Sequence, residues 1–263
     1  MPAAAGAGEL ILERQGAVQW ITFNRPRVRN ALTPAMYGRL ADACRGLDQD
    51  RSVRALVITG ANGTFAAGAD IAQFRLIRAE REVLEYEARV EDTLAALESV
   101  RVPTIAAIAG ACTGAGAAIA AVCDLRLAAP SARFGFPIAR TLGNCLSTAT
   151  LSRIVALLGM ARTADLLLRA RLMEAAELET VGVVSEVTGE DALAHRAQEL
   201  AEEVASFAPL TLWAAKEALR RLRPRLHEPG ADRDLVLACY LSRDFREGVE
   251  AFLEKRKPVW TGE

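Results

Sequence analysis

The chain has 263 residues, which is enough to bury a large core as one domain or as one domain with a smaller second part. Its formal net charge is −1, and this balance excludes the basic excess that nucleic-acid-binding proteins usually carry. Hydrophobic residues make up 51% and charged residues 25%, a globular composition that excludes a long disordered tract.

Other features favour a protein of a reducing compartment without metal. The first ten residues hold no basic residue ahead of an apolar run, so we expect no secretory signal and a cytoplasmic location. The five cysteines are odd in number and scattered, which indicates reduced thiols. The two histidines, His195 and His227, are far apart in sequence, so we expect no histidine-based metal site.

The elements of the first hundred residues follow from local patterns. Alternating polar and apolar residues on both sides of Gln15-Gly16 predict a β-hairpin. Thr33 and Pro34 predict the start of a helix, as cap and first helical residue. The apolar, β-branched stretch 53–60 predicts a strand that ends in a small-residue loop. The charged stretch 79–100 predicts an amphipathic helix with Glu85 and Arg89 paired on its solvated face.

Residues 102–123 carry no charge over about the length of a membrane span. Because Pro103 and several glycines interrupt the stretch, it predicts instead a buried strand, a turn and a buried helix. Short strands are expected near 125–136 and over 181–187, and helices from about residue 190 onward. This order predicts an α/β core over 1–195 and a helical C-terminal region over 196–263.

The turn Gly114-Ala115-Gly116 offers backbone N–H groups at the start of a helix, where they have no partner within the helix. Such groups bind anions and developing oxyanions, and the loop around Ala67 and Gly68 offers a second set. Close packing alone also explains small residues at such turns. The turn is neither a phosphate loop nor a dinucleotide fingerprint, because no Gly-Lys-Ser/Thr follows and Ile119 replaces the third glycine.

Seven stretches together resemble the enoyl-CoA hydratase/isomerase family, the crotonase superfamily. They are FNRPRVRNALT (23–33), FAAGADI (65–71), VPTIAAIAGACTGAGAAIAAVCDLRLAA (102–129), ARFGFP (132–137), AAELETVGVVSEV (175–187), PLTLWAAKEAL (209–219) and REGVEAFLEKRKPVWTG (246–262). The resemblance implies an α/β spiral of ββα units and a C-terminal helical region that builds homotrimers or dimers of trimers.

The resemblance also implies a small-molecule acyl-CoA as partner and substrate, with no separate cofactor, metal, nucleic acid or membrane. The thioester oxygen would be held by the backbone N–H groups of Ala67 and Ala115 as an oxyanion hole. The residues that would cradle CoA are Arg27, Val28, Arg29, Ala66, Ala67, Gly68, Ala69, Asp70, Ile71, Gly114 and Lys257. Lys257 belongs to a basic run that is equally typical of a solvated C-terminus.

Two acidic residues of the family's hydratases are missing, because their positions hold Ala118 and Ile138. A positioned acid or base typically contributes about 10² to 10⁴ in rate, so ordinary hydration is expected to be very slow. The usual isomerase base is missing too, since it commonly occupies the position of Ile138.

Several nearby groups are candidate replacements. Arg140 could hold a carboxylate bidentately, and Asn144 is either a polar contact of the acyl group or a turn residue. Asp70 is favoured as a hydrogen-bond acceptor that fixes its loop, and Cys145 lacks a nearby histidine in sequence. Glu82, Glu85 and Glu91 lie on the helix that flanks the family's pocket.

Three functions remain open on the sequence. The first is an acyl-CoA enzyme, lyase or isomerase, that stabilises a thioester enolate with relocated or few side-chain groups. The second is a malonyl-type-CoA decarboxylase, in which loss of CO₂ generates the enolate without a base. The third is a catalytically silent acyl-CoA-binding or assembly protein.

Overall fold

The computed structural model describes residues 8–222 and 232–263, so the first seven residues and His227 lie outside the described residues. The strands are β1 (Leu10–Gln15), β2 (Val18–Phe23), β3 (Ala55–Gly60), β4 (Thr104–Ile108), β5 (Ala111–Thr113), β6 (Leu125–Ala128), β7 (Arg133–Gly135), β8 (Leu172–Glu174) and β9 (Glu186–Val187). The helices are α1 (Pro34–Leu47), α2 (Glu80–Ser99), α3 (Ala115–Val122), α4 (Ile138–Thr141), α5 (Thr148–Leu158), α6 (Met160–Leu168), α7 (Ala175–Thr180), α8 (Leu193–Ser206), α9 (Pro209–Leu222), α10 (Arg233–Tyr240) and α11 (Arg243–Leu253).

A six-stranded sheet in the order β1-β2-β3-β4-β6-β9 forms the centre of the fold. The β1–β2 pair is antiparallel and the remaining pairs are parallel. Parallel neighbours require long crossover connections; α1, α2 and α3 lie in those from β2 to β6, and α4 to α7 lie in the one from β6 to β9. A second sheet in the order β5-β7-β8 continues the spiral.

Both faces of the central sheet are covered, which explains why its strands are apolar at successive positions. On β3, Ala55 and Val57 pack toward α8, whereas Leu56 and Ile58 pack toward α1, α2 and α3. On β4, Ile105 and Ala107 take the first face. The alternation follows from the two-residue period of a strand.

The local predictions are largely confirmed. The hairpin forms with Gln15 opposite Val18, and the Thr33 hydroxyl accepts the Met36 N–H at 3.3 Å with Pro34 as the first residue of α1. The strand predicted over 181–187 shortens to β9, because α7 ends at Thr180 and a turn follows it. Glu85 lies 3.9 Å from Arg81 in an ion pair, rather than pairing with Arg89.

The C-terminal part is helical, as predicted. The boundary predicted at residue 195 falls inside α8, whose Ala197 and Ala201 belong to the core of the central sheet. Helices α10 and α11 pack beside α2 and a short 3-10 helix over 71–76, through Tyr240, Phe245 and Phe74. No helix within the described residues is both long and apolar enough to span a membrane.

Candidate active site

Two loops that follow strands of the central sheet are joined by hydrogen bonds at the carboxyl end of the sheet. The buried Asn30 amide donates to the carbonyls of Ala61 and Thr64 at 3.0 and 2.6 Å, which ties residues 25–31 to residues 61–70. Arg25 lies 2.9 Å from Asp70 in an ion pair, and the Asp70 carboxylate also accepts the Ala72 N–H at 3.2 Å. Asp70 therefore fixes its loop, as the sequence favoured.

The loop around Gly68 meets the turn before α3 at backbone distance. A Cβ built on Gly68 would lie 3.3 Å from the Thr113 carbonyl oxygen and 4.0 Å from the Ala115 nitrogen. Gly68 has φ = 100° and Gly114 has φ = 54°, values that side-chain-bearing residues rarely adopt. Glycine at both places lets the two turns contact each other and directs their N–H groups.

The backbone corrects one half of the predicted oxyanion hole. The Ala67 N–H donates to the Arg29 carbonyl at 2.9 Å, so it is already paired. Two residues on, the Ala69 N–H has no acceptor among the described residues. The Ala115 N–H also has none there, because it begins α3. Ala69 and Ala115 are therefore two backbone donors at this contact that have no acceptor among the described residues, and the Gly68 N–H is a third.

A cavity of about 670 Å³ opens beside Ala69 and Ala115. The predicted site residues that line it are Arg27, Val28, Arg29, Ala67, Gly68, Ala69, Asp70, Ile71, Gly114, Ala115 and Asn144. Arg27, Val28 and Arg29 are exposed, so they place cationic and apolar surface where the cavity opens to solvent. Ala66 does not line the cavity, because it is fully buried and its N–H donates to the Ala111 carbonyl at 2.9 Å.

Arg140 is placed outside the cavity, which corrects its predicted role as an acyl-group contact. It is exposed on α4, a single helical turn, whereas Ile138 and Thr141 of the same turn line the cavity. Residues three apart share one side of a helix, so Arg140 is on the other side.

Lys257 is likewise exposed and outside the cavity lining. The C-terminal contribution to the cavity is apolar instead, from Phe252 and Leu253. The neighbouring Arg256 is engaged by Glu247 and Glu254 at 2.5 and 2.7 Å.

Apolar residues of the cavity lining occupy the two positions where the resemblance to the family's hydratases implies glutamates. Ala118 and Ile138 both line it, and neither can exchange a proton. The polar residues of the lining, besides the two exposed arginines, are Asp70, Tyr86, Glu87, Thr113, Thr141, Asn144, Cys145, Ser147, Thr150 and Tyr240. Asp70 is held by Arg25, whereas no cation of the described residues pairs with Glu87, the other carboxyl of this lining.

Glu87 on α2 is half-buried in the cavity wall. The Tyr240 hydroxyl donates to Glu87 Oε1 at 2.8 Å, and the Asn144 amide Nδ2 donates to the Tyr240 oxygen at 3.2 Å. Burial raises the pKa of Glu87 to about 7, with smaller upward contributions from Asp232 and Glu91 and a downward one from the Tyr240 hydrogen bond. A carboxyl with this pKa both accepts and returns a proton near neutral pH.

Glu87 is a candidate site residue that is not predicted from the sequence, in contrast to Glu82, Glu85 and Glu91 on the same helix. In the structure, Glu82 accepts the Ala79 N–H at the start of α2, Glu85 is exposed, and Glu91 pairs with Arg153. Helical periodicity could have indicated that Glu87 faces inward, because it lies four residues after buried Val83 and three before cavity-lining Val90. It therefore occupies the apolar stripe of α2.

Cys145 lines the cavity, but burial raises the pKa of its thiol well above the usual range. Its reactive thiolate form is therefore disfavoured near neutral pH. Among the described residues, no three His, Cys, Asp or Glu side chains cluster so as to hold a metal ion.

Comparison with known proteins gives the same class of molecule as the fold and the cavity. The family model for enoyl-CoA hydratase/isomerase matches residues 13–263. A probable enoyl-CoA hydratase of Rhizobium meliloti is 37% identical over 254 residues, covering 94% of this chain and 96% of that protein. An enoyl-CoA hydratase/carnithine racemase from Magnetospirillum magneticum superposes with a TM-score of 0.79 at 33% identity, covering 98% and 97% of the two chains.

A methylmalonyl-CoA decarboxylase in complex with 2-nitronate-propionyl-CoA superposes with a TM-score of 0.87, covering 97% of this chain and 99% of that one. Its sequence identity is 24%, so this likeness concerns the fold alone. The fold is the crotonase fold. The chain belongs to the enoyl-CoA hydratase/isomerase family, whose members act on acyl-CoA thioesters.

Proposed function

We propose that this protein moves a proton along the acyl group of a CoA thioester, with Glu87 as the single acid–base group. The expected reaction is isomerisation of a β,γ-unsaturated acyl-CoA to its conjugated α,β isomer. One observation carries the proposal. Within the described residues, a carboxyl without a cation partner lines the same cavity as two backbone N–H groups without an acceptor.

The N–H groups of Ala69 and Ala115 provide the electrostatic part of this mechanism. When the thioester oxygen lies between them, they stabilise the negative charge that develops as an enolate forms. The exposed Arg27 and Arg29 provide positive charge for the CoA phosphates outside the cavity.

Glu87 provides the proton transfers. Its carboxylate removes a proton from the α-carbon, and the electron pair passes through the double bond system onto the thioester oxygen. The resulting carboxylic acid returns the same proton to the γ-carbon, which leaves the double bond between the α- and β-carbons. Atoms balance without water or a second base.

This one-base reaction fits the cavity better than hydration does. Addition of water requires one group to deprotonate the water and a second to protonate the α-carbon. Ala118 and Ile138 supply neither, and Asp70 is held by Arg25. Decarboxylation of a malonyl-type thioester is disfavoured, because a substrate carboxylate would share the cavity with Glu87 and the two lining arginines are exposed.

The decisive experiment compares Glu87→Gln with the unmodified protein on a 3-enoyl-CoA, following the absorbance of the conjugated thioester. We expect the substitution to lower turnover by about 10² to 10⁴ while binding of acyl-CoA persists. Glu85→Gln is the matched control, because Glu85 is an exposed residue of the same helix. Unchanged turnover in Glu87→Gln would overturn the proposal.

A second measurement separates an enzyme from a silent binder without knowing the natural acyl chain. A saturated acyl-CoA is incubated in D₂O, and exchange of its α-protons is followed by NMR. Enolate formation gives exchange that depends on Glu87. Binding without exchange would favour the silent binder, and CO₂ release from methylmalonyl-CoA would favour the decarboxylase.

A further inference from the structure

We propose that Tyr240 is a positioning residue for Glu87, itself oriented by Asn144, and that this pair leaves Glu87 Oε2 free for proton transfer. The inference rests on the proposed role of Glu87 in proton transfer. It assigns a function to a C-terminal helix that lies 153 residues away from Glu87 in sequence.

The hydrogen bonds have one direction along this chain of groups. The Asn144 Nδ2 group can only donate, and it donates to the Tyr240 oxygen at 3.2 Å. The Tyr240 hydroxyl therefore keeps its own hydrogen for Glu87 Oε1, at 2.8 Å. Burial raises the pKa of Tyr240 well above its usual value, so this hydroxyl remains a donor across the working pH range. The hydrogen bond from Asn144 polarises the Tyr240 hydroxyl, and this strengthens the hydrogen bond from that hydroxyl to Glu87.

The Tyr240 ring is fixed by its neighbours. Its centroid lies 4.9 Å from that of Phe245, 5.9 Å from that of Tyr86 and 6.3 Å from that of Phe74. Such ring pairs favour defined tilted or edge-to-face geometries. The packed ring holds the Tyr240 hydroxyl in one position, and the hydrogen bond from this hydroxyl limits rotation of the Glu87 carboxyl.

The fixed carboxyl has two different oxygens. Oε1 accepts from Tyr240, whereas Oε2 has no partner within the described part of the chain. Oε2 does not belong to the buried side-chain atoms of the described residues that lack a partner, so it is accessible to solvent or to a ligand. Since Glu87 lines the cavity, Oε2 is the oxygen that meets the acyl group.

Only one of the two polar atoms of the Asn144 amide has a hydrogen-bond partner in the described residues, and that partner is Tyr240. Its Oδ1 atom is buried without a hydrogen-bond partner in the described residues. An unpaired buried acceptor opposes folding, so a purely structural role would favour an apolar side chain here. Leucine has nearly the same shape and would remove both the unpaired oxygen and the donor to Tyr240.

Other groups also act on Glu87. Asp232 at the start of α10 and Glu91 on α2 raise its pKa, and the buried thiol of Cys145 interacts with it. The buried hydroxyls of Tyr37 and Tyr86 also interact with it electrostatically. Glu91 is paired with Arg153, and Asp232 accepts the Thr148 N–H and hydroxyl. Asp232 and Glu91 keep these partners when Tyr240 is altered, so a change in the titration of Glu87 reports on the lost hydroxyl.

The test is the pH profile of Tyr240→Phe, which retains the ring and removes only the hydroxyl. Loss of a donor to the carboxylate raises the pKa of Glu87, so the acidic limb of kcat/KM is expected to move up by about one pH unit. We expect kcat to fall at least tenfold with little change in KM. Tyr37→Phe is the control, because Tyr37 is a buried tyrosine near Glu87 that lies outside the cavity lining and makes no hydrogen bond to the Glu87 carboxyl.

Asn144→Leu gives an independent check that does not depend on folding losses. It is expected to keep or raise the melting temperature, while it lowers kcat and moves the acidic limb in the same direction. If Glu87→Gln abolishes turnover but Tyr240→Phe and Asn144→Leu retain the wild-type pH profile and kcat, the positioning role is wrong and the proposed function stands. If Glu87→Gln has no effect, the proposed function itself is wrong.

Discussion

Glu87 is a carboxyl whose folded environment opposes its ionisation. Its pKa is raised from 4.5 to about 7, mainly by burial, so the folded state holds this proton more tightly than the unfolded state does. The contribution of Glu87 to the free energy of unfolding therefore decreases as pH rises from 4.5 toward 7, and this loss is complete above the folded pKa.

From this linkage we predict the pH dependence of Glu87→Gln. Glutamine carries no charge to desolvate, so the variant is expected to melt at a higher temperature than the unmodified protein at pH 8. The advantage should shrink at pH 5, where the carboxyl is mostly protonated in the folded state. Thermal melts across this range check it, and a constant difference between the two proteins would contradict the raised pKa.

Ala115 permits a substitution that removes a backbone N–H and little else. It is the first residue of α3, a position where proline is well tolerated in helices. We expect Ala115→Pro to fold but to lower turnover by about 10² to 10³, the usual effect of losing one oxyanion donor. Ala115→Gly, which retains the N–H, is the control. Wild-type turnover in the proline variant would exclude this N–H from the reaction.

Individual site residues were predicted unevenly. The turn around Ala115 could be named from sequence because the first N–H groups of a helix have no partner within it, and the family resemblance specified Ala115. The partner donor was misplaced by two residues, since the Ala67 N–H is taken by the Arg29 carbonyl. That pairing depends on Gly68 at φ = 100° and on a contact between two loops, which no local pattern encodes.

At the scale of elements, α11 approaches the loop before Asn144 at a glycine. A Cβ on Gly248 would lie 2.4 Å from the carbonyl oxygen of Leu142, which is backbone and cannot yield easily. Gly248→Ala is therefore expected to lower the melting temperature and to displace Asn144 and its hydrogen bond.

Gly38 supplies the matched comparison. It is exposed inside α1, and nothing lies within 4 Å of its added Cβ. Alanine there is expected to stabilise the protein by about 0.5–1 kcal/mol, because it reduces the freedom of the unfolded chain. Thermal melts of both variants check the contrast. Similar behaviour of the two would show that α11 is not closely packed on this loop.

Elements with local signals were predicted well, whereas elements defined by distant partners were not. The hairpin about Gly16 and the Thr33 cap rest on turn and capping chemistry within a few residues. The strand β5 was not predicted, because residues 111–113 become a strand only through distant partners, β7 on one side and Ala66 on the other. Residues 181–184 are apolar enough to predict a strand, but they form a turn after α7, in which Val183 and Val184 are buried.

For the whole molecule, the apolar surface of α9 predicts self-association. Leu210 and Leu219 are 67% and 69% exposed, and Trp213 is 38% exposed. Burial of such side chains between subunits is favourable at roughly 25 cal/mol per Å² of apolar surface. We expect the trimer that the resemblance implies, or a dimer of trimers. Light scattering at low concentration checks this, and a stable monomer would contradict it.

The burial of Glu87 in the cavity wall also couples ligand binding to protonation, and so to the surrounding buffer. An acyl group that fills the cavity expels water from Glu87 and makes its ionised form still less favourable. Near pH 7, where Glu87 is about half ionised, the complex must then take up a fraction of a proton per molecule bound. The heat of acyl-CoA binding would accordingly vary with the ionisation enthalpy of the buffer, so the protein acts as a small proton acceptor whenever its site is occupied.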